Sequence, residues 1–339
     1  MTPRGRPSRT AIHERLAQAV DELRRRLGGL PSPVEAQDIW TPIWHLEAHN
    51  STALEGNTLV LREVEMLLSQ GRAVGNKELK DYLEVRGYAD AAQWVYAQAA
   101  EASEWCTGDV LTLTEVREVH RRLMTPVWEV APHPMAGSDE GPGNWRRHNI
   151  QPFPGGMKPP PFPEIPTLIA DWVAGIHEIR HDPSPIAEAV AARHAAFEQI
   201  HPFIDGNGRT GRLLVNLVFV RLGYPPAIVQ KRDRSRYLTA LNQADRGDPG
   251  ALGELLARAL LDNLHRFVMP AVAGPARALP LAALTTPEVT VRALRDAAER
   301  GRLRAIKDDR GQWQSSRNWV NAYVKTRQRR RKTPRIGVF

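Results

Sequence analysis

The stretch His201–Arg212, HPFIDGNGRTGR, places a histidine, an aspartate, three glycines, an asparagine and two arginines within twelve residues. Pro202 disfavours the α conformation in the residue before it, so the preceding helix is predicted to end near His201. The glycines of Gly206-Asn207-Gly208 can adopt backbone conformations that other residues rarely adopt. The segment leads into the next helix, whose N terminus carries partial positive charge. The stretch therefore predicts a helix–loop–helix corner that binds an anion, with phosphate as the usual occupant.

The side chains of this stretch supply further chemistry. His201 can act as a general base near neutral pH, and Asp205 can ligate Mg²⁺ that bridges phosphates. Arg209 and Arg212 are three residues apart, so they share one face of the first helical turn and offer planar donors to phosphate oxygens. Phe203 is expected to point inward as an anchor. Each residue taken singly has a structural explanation, but their coincidence within this stretch favours a functional site.

The length and composition of the chain limit the classes of protein to which it can belong. The 339 residues suffice for one large domain plus a small one, and 42% apolar with 25% charged residues is ordinary for a globular chain. One cysteine, Cys106, excludes an intramolecular disulfide and fits a reducing compartment, so a cytoplasmic location is expected. The N terminus, MTPRGRPSRT, lacks the apolar region of a secretory signal, and no apolar run has the length of a membrane span.

The net charge of +8 is concentrated at the C-terminal end. Residues 276–339 carry 16 Lys+Arg and 5 Asp+Glu, whereas the rest of the chain carries 30 and 33. A concentrated basic segment indicates a polyanionic partner, with nucleic acid first. The alternative is a solvated tail.

Helical periodicity dominates the chain and divides it into five intervals. A basic segment and helix (1–30) precede a helical region (31–108), a core (109–268), a linker (269–280) and a small domain with a basic tail (281–339). Within the core, Thr125–Pro166 is rich in proline and glycine, which predicts a long ordered loop or hairpin rather than a helix.

The HPFIDGNGRTGR stretch resembles the signature of the Fic (Fido) family, His-Pro-Phe-x-Asp/Glu-Gly-Asn-Gly-Arg-x-x-Arg, with every fixed position present. Related features cover about residues 43–248. The resemblance implies an all-α helical bundle with a short flap hairpin, and a nucleotidyltransferase that moves AMP from ATP to a protein Ser, Thr or Tyr hydroxyl with Mg²⁺ and releases pyrophosphate. It implies that His201 is the base, Asp205 the Mg²⁺ ligand and Arg212 the γ-phosphate ligand. The implied ATP-binding residues of the signature are Asp205, Gly206, Asn207, Gly208, Arg209, Thr210, Gly211 and Arg212.

Two further stretches are similar to family features. GGMKPPPFP resembles the flap that aligns the target beside ATP; the flap is expected near 145–163, with residues Gly155, Gly156, Met157 and Lys158, and the alternative is a proline-rich turn. RYLTALNQADRGD resembles the segment that contacts adenine and ribose. Tyr237 matches an aromatic position there, Leu238 occupies a position that is often tyrosine, and Asp245 stands where many members have asparagine. Without the resemblance, this second stretch is only an amphipathic helix.

NSTALEGNTL (residues 50–59) resembles the family's inhibitory helix motif, residues 51–56, through Ser51, Glu55 and Gly56. Ser51 and Glu55 lie one turn apart on a single helix face. A carboxylate competes with phosphate for the donors of an arginine, so Glu55 is expected to pair with Arg212 and to inhibit in cis. The alternative is an ordinary helix C terminus.

The C-terminal segment resembles excisionase-like helix-turn-helix or winged-helix domains. The sequence predicts a helix at about Leu281–Leu284, a second over Pro287–Glu299 and a hairpin over Arg302–Trp313 with its turn at 309–311. A final helix contains Trp319 and Tyr323. Residues 281–339 are thus expected to bind DNA, or alternatively to form a structural or dimerising cap.

Other readings of the whole chain remain open. One is a different transfer in the same site, including phosphorylation or removal of AMP. Another is a nucleotide-sensing transcriptional regulator that acts through the C-terminal domain. Expected partners are ATP, a protein target that includes the chain itself, and a second copy in a homodimer.

Overall fold

The computed structural model describes residues 7–33, 36–99, 110–151, 157–274, 277–308 and 311–332, with side chains described as far as residue 327. Cys106, the flap residues Gly155 and Gly156, the hairpin-turn residues 309–310 and the last seven residues lie outside these ranges. The chain divides into two compact units. The first contains the residues up to Val20 together with Ser32–Leu260, and the second contains Asp21–Pro31 together with the residues from Leu261 onward.

Helices form almost all of the first unit, as the periodicity predicts. The chain begins with α1 (Arg9–Arg26), α2 (Gln37–Leu54), α3 (Leu61–Gln70), α4 (Leu79–Ala99) and α5 (Leu113–Trp128). After a long loop come α6 (Ile165–His177), α7 (Ile186–Ile200), α8 (Asn207–Arg221), α9 (Arg234–Ala244) and α10 (Gly250–Asn263). Short 3₁₀ helices lie at Phe162–Glu164, Glu178–His181 and Lys231–Asp233. No described helix has the length and apolar character needed to cross a membrane.

Helix α8 lies at the centre of this unit. Every residue from Arg209 to Arg221 is buried, and α2, α4, α5 and α7 pack around the helix. A helix that is apolar all round must be enclosed on all sides, which explains the run LLVNLVFV (residues 213–220). The helix that begins at the predicted anion site is therefore held rigidly by the core.

The long loop is ordered but begins later than predicted. Pro126 lies inside α5, which continues to Trp128, so the loop starts at Glu129 rather than at Thr125. Leu123 and Val127 on the last turns are buried, and this burial offsets the hydrogen bond that proline removes. The described part of the flap contains no strand.

The second unit contains a small sheet. Strands β1 (Ala278–Pro280), β2 (Ile306–Lys307) and β3 (Trp313–Ser316) form an antiparallel sheet in the order β1-β3-β2. The interval 269–280 is therefore more than the predicted linker, because it contains α11 (Met269–Val272) and β1. Leu279 pairs with Ser315 and is buried. Packing therefore stabilises a strand in a segment whose small residues did not predict one.

The helices of the second unit follow the predicted order with one changed boundary. A 3₁₀ helix occupies Leu281–Leu284, and α13 (Arg317–Lys332) contains Trp319 and Tyr323. The middle helix, α12, spans Val291–Glu299 and does not begin at Pro287. Thr290 caps it by accepting a hydrogen bond from the Ala293 N–H at 3.3 Å, and residues 286–289 form a tight turn instead.

Candidate functional site

His201 lies where α7 ends, as Pro202 predicts. Its backbone is left-handed, with φ 48° and ψ 60°, and among the described residues it is the one non-glycine with positive φ. Such a conformation is strained for a histidine and persists only where the surroundings hold it. The Nδ1 atom lies 3.1 Å from the Glu198 carbonyl oxygen, so Nδ1 carries the proton and Nε2 keeps its lone pair.

Burial sets the protonation state of this imidazole. Desolvation lowers the pKa of His201 to about 4, and the Arg146 guanidinium acts in the same direction against the Glu198 carbonyl. The ring is therefore neutral at physiological pH. A neutral imidazole that carries its proton on Nδ1 can accept another proton at Nε2.

The loop after His201 is shaped by Asn207. The Asn207 side chain accepts from the Phe203 N–H and donates to the Phe203 carbonyl, both at 2.9 Å. Phe203 is fully buried, as predicted, and stacks on His120 at 3.6 Å between ring centroids. His120 bridges the loop to its surroundings, since Nε2 lies 3.0 Å from the Asp205 carbonyl oxygen and Nδ1 accepts from the Gly143 N–H at 2.8 Å. The Asn207 side chain thus fixes the loop, which leaves only its backbone N–H for an anion.

The N terminus of α8 forms an anion site. Gly206 caps the helix with φ 76°. The N–H groups of Asn207, Gly208 and Arg209 are the first of the helix, so no carbonyl of a preceding turn is available to accept their hydrogen bonds. A Cβ on Gly208 would lie 2.5 Å from the Glu55 Oε1 atom, so a larger residue here would displace this carboxylate. The Glu55 carboxylate therefore sits against the start of α8, where the helix dipole favours an anion.

Arg212 is held by the predicted inhibitory motif. Its Nη2 donates to Glu55 Oε1 at 2.7 Å and to the Ser51 carbonyl oxygen at 3.0 Å, and its Nε donates to Ser51 Oγ at 2.8 Å. Glu55 is the C-cap residue of α2, and Gly56 follows with φ 103°. Burial raises the pKa of Glu55, but the charge and hydrogen bond of Arg212 outweigh this effect and hold the pKa below its ordinary value. The carboxylate is ionised at neutral pH.

Arg209 does not share the partners of Arg212, although both lie on the first turns of α8. Its Nη2 lies 3.2 Å from Asp205 Oδ1 and its Nη1 lies 3.3 Å from Glu84 Oε1. Asn57, two residues after Glu55, donates to Glu84 Oε2 at 3.0 Å. Arg209 is thus an orienting group for Asp205 in this structure, rather than the open phosphate donor that its spacing from Arg212 predicts.

Two other signature residues face the protein interior. The side chain of Thr210 has no exposed surface. A Cβ on Gly211 would lie 2.5 Å from Glu198 Oε1 and 3.0 Å from Phe197, so this glycine permits close packing of α8 on α7. The structure therefore does not bring the Thr210 side chain to the anion site, and Gly211 serves helix packing.

A cavity of about 660 Å³ brings together the flap and the predicted adenosine-binding segment. Met157 and Lys158 line it, together with Ile200 and Asp245. The Asp245 carboxylate accepts from the Gln199 amide at 3.0 Å, and burial raises its pKa.

The other two residues of that segment lie elsewhere. Tyr237 is buried, with its hydroxyl 2.6 Å from His194 Nε2. Leu238 is 44% exposed and does not line the cavity. Of the three, the cavity thus contains Asp245 alone.

The sequence analysis missed four buried polar residues around the site: Glu47, Glu84, His120 and Arg146. Glu47 accepts hydrogen bonds from the Tyr88 hydroxyl at 2.9 Å, from the Asn216 amide at 2.7 Å and from the Tyr96 hydroxyl. Glu47 and Glu84 each interrupt an apolar stripe of a predicted helix, which is a detectable signal for a buried polar group. No local pattern marks the other two.

Sequence comparisons identify proteins that resemble this chain. Residues 110–219 match the model of the Fic/DOC family. The chain is 33% identical over 203 residues to protein adenylyltransferase Fic of Drosophila willistoni, covering 59% of this chain and 36% of that protein. It is 30% identical over 252 residues to protein adenylyltransferase Fic of Nematostella vectensis, covering 72% of this chain and 54% of that protein. The chain thus spans about half or less of the length of these relatives.

The fold also matches a solved structure. A crystal structure of a Fic-domain-containing signaling protein from Bacteroides thetaiotaomicron aligns with a TM-score of 0.58 and 24% sequence identity, over 75% of this chain and 96% of that one. The helical bundle expected from the signature is therefore confirmed. The chain therefore contains a segment, residues 110–219, that matches the Fic/DOC family.

Proposed function

We propose that the chain is a protein adenylyltransferase, which transfers AMP from ATP to a Ser, Thr or Tyr hydroxyl of a protein. One observation carries the proposal: the neutral His201, the Asp205 carboxylate and the N terminus of α8 with Arg212 converge at a single corner. A base beside a helix N terminus and a buried arginine suits transfer from a polyphosphate to a hydroxyl.

In this mechanism, His201 Nε2 accepts the proton of the attacking hydroxyl. The hydroxyl oxygen forms a bond to the α-phosphorus of ATP, and the bond from that phosphorus to the β-phosphate bridging oxygen breaks, which releases pyrophosphate. The first N–H groups of α8 stabilise the charge on the phosphate oxygens. Arg212 holds the terminal phosphate through its planar donors. Met157 and Lys158 of the flap hold the target segment beside the base.

The residues present also fit a magnesium ion. Asp205 Oδ1 accepts from the Gly206 N–H at 2.5 Å and from Arg209, while the Asp205 side chain remains 39% exposed. No cluster of three or more His, Cys, Asp or Glu occurs among the described residues, and Mg²⁺ is usually bound by one or two carboxylates plus phosphates. Asp205 would hold the ion, which would neutralise phosphate charge when bound.

The enzyme as described is autoinhibited, in this proposal, because Glu55 occupies the donors that a γ-phosphate needs. The supporting contacts are the 2.7 Å bond from Arg212 and the approach of the same carboxylate to Gly208. ATP and the Glu55 carboxylate compete for one arginine.

Radiolabel transfer tests the proposal directly. Purified wild type, Glu55→Gly and Glu55→Gly/His201→Ala are incubated with ATP labelled with ³²P at the α position, or separately at the γ position. The proposal predicts α-label incorporation into protein that is strongest in Glu55→Gly and absent in the double variant. γ-Label incorporation without α-label would establish phosphorylation instead, and equal α-labelling of wild type and Glu55→Gly would contradict autoinhibition.

We further propose that the second unit binds DNA. Arg292 and Arg295 are exposed on one face of α12, and Arg304 and Lys307 are exposed beside and on β2. Helix α12 also carries Asp296 and Glu299, so the proposal rests on the charge of residues 276–339, which contain 16 Lys+Arg and 5 Asp+Glu. Arginine and lysine on such a surface neutralise phosphates and make binding depend on salt.

Fluorescence anisotropy with a mixed-sequence duplex at two salt concentrations tests this second proposal. Arg292→Ala/Arg295→Ala should weaken binding, whereas Arg62→Ala/Arg86→Ala, at exposed positions of the first unit, should not. Absence of binding at low salt, or equal weakening by both pairs, would contradict it. Dimerisation and the cytoplasmic location stay predictions.

A further inference from the structure

Arg146 is a buried cation at the base of the flap, and its side chain is 1% exposed. Its guanidinium donates to four backbone carbonyls: Nε to His201 at 2.9 Å, Nη1 to His148 at 2.9 Å, and Nη2 to Pro160 at 2.6 Å and to Ile200 at 3.5 Å. Its own N–H donates to the Pro202 carbonyl at 2.9 Å. The described side-chain hydrogen bonds of this arginine all go to backbone carbonyls, so it acts as a bracket between chain segments.

The segments that it joins are the two that the reaction must align. His148 precedes the flap residues Met157 and Lys158, and Pro160 follows them. Ile200 and His201 form the end of α7, where the strained left-handed backbone presents the base. A positive charge at this helix end is also favoured by the helix dipole.

We propose that Arg146 is a positioning residue that holds the flap and the His201 backbone in register, so that the target hydroxyl meets the imidazole. The inference rests on the proposed AMP transfer. The planar guanidinium reaches both sides of the flap and the end of α7 at once, whereas an ammonium group at the same place lacks the fork geometry needed to do so. Loss of the bracket moves the flap relative to the base, and misplacement of about 1 Å costs about 100-fold in rate.

The experiment uses the full chain in the Glu55→Gly background, with Arg146→Lys and Arg146→Ala. Arg147 supplies the matched control, because its guanidinium is exposed and pairs with Asp139 at the surface. Auto-AMPylation rates at varied ATP concentration give kcat and KM, and hydrogen exchange of residues 147–160 reports the flap without reference to activity.

The proposal predicts a kcat about 10- to 100-fold lower in Arg146→Lys, a KM for ATP within about threefold, and faster exchange confined to the flap and the end of α7. Methylguanidinium should restore part of the activity of Arg146→Ala, and Arg147→Ala should match its parent. An unchanged kcat in Arg146→Lys, or faster exchange throughout the first unit, would overturn the inference. A parent that transfers no AMP would refute the proposed function, while the exchange data would still test the bracket.

Discussion

The proposed competition between Glu55 and ATP for Arg212 has a magnitude that follows from the contact between Glu55 and Arg212. The contact is one charge-assisted hydrogen bond of 2.7 Å, and bonds of this kind contribute about 1.5–3 kcal/mol. The Glu55 side chain is 40% exposed, so solvent screening reduces this contribution to about 1–2 kcal/mol. Removal of the carboxylate should therefore tighten ATP binding about 5- to 30-fold, since 1.4 kcal/mol corresponds to a factor of ten.

Glu55→Gln separates charge from shape. The amide keeps the length of the side chain and one acceptor oxygen, but it lacks the charge that competes with phosphate. Its gain in ATP affinity should lie between that of wild type and that of Glu55→Gly. Glu65→Gln, at an exposed position of α3, is the matched control and should bind ATP as the wild type does.

Isothermal titration with ATP and Mg²⁺ measures the effect independently of turnover. Initial rates of α-labelled AMP transfer, measured alongside the titration, show whether Glu55→Gly improves ATP binding or the chemical step. The reasoning fails if the ATP dissociation constant of Glu55→Gly lies within twofold of the wild-type value. It also fails if Glu65→Gln produces the same gain.

Three other predictions test neighbouring parts of the site. Gly208→Ala should lower AMP transfer at least about tenfold, even in the Glu55→Gly background. Its Cβ would lie 3.1 Å from the Arg212 guanidinium, in the space through which the phosphate approaches. Labelling at the parent rate would contradict this. Asn57→Ala should lower transfer and weaken Mg²⁺ binding measured by calorimetry, the opposite effect to Glu55→Gly. Its amide supports the Glu84–Arg209 ion pair beside Asp205, the proposed Mg²⁺ ligand; a gain in activity would contradict this. Burial holds the pKa of His120 and His194 at about 3, against about 6.5 in the unfolded chain, so each should lower stability by about 1.4 kcal/mol per unit as the pH falls below 6.5. Burial raises the pKa of Glu198 to about 8, which offsets one of these two losses, so the net fall from these three groups should be about 1.4 kcal/mol per unit; equal urea midpoints at pH 6.5 and pH 5 would contradict this.

Local rules predicted the parts of the site that depend on local backbone. Pro202 placed His201 at a helix end, Gly206 and Gly208 placed the start of α8, and one turn of spacing placed Ser51 and Glu55 on a common face. Each of these follows from the conformational limits of a few consecutive residues. The contact between Glu55 and Arg212 needed the family signature as well, since no local rule brings two distant segments together.

The remaining features depend on tertiary packing, which short patterns do not encode. Arg209 has the spacing of a phosphate donor, but Glu84 on α4 and Asp205 bind it. Pro126 predicts the end of a helix, but α5 continues to Trp128 because its last turn is buried. In the sequence, Arg146 is one of two adjacent basic residues in a loop. Only the folded structure shows that four backbone carbonyls surround its guanidinium.

The hydrogen bonds that anchor α2 indicate how the proposed inhibition would be relieved. The body of α2 is fixed by the hydrogen bonds of Glu47 to α4 and α8, by the Lys231 N–H bonded to Asn50 at 2.8 Å, and by Arg234 bonded to the Leu54 carbonyl at 2.8 Å. Withdrawing the helix would leave several buried polar groups unsatisfied, at about 1–3 kcal/mol each, besides exposing its apolar face. Glu55 lies at the half-exposed end, and turning its side chain away breaks one ion pair. If Glu55 inhibits as proposed, relief by rotation of its side chain therefore costs less free energy than relief by displacement of α2.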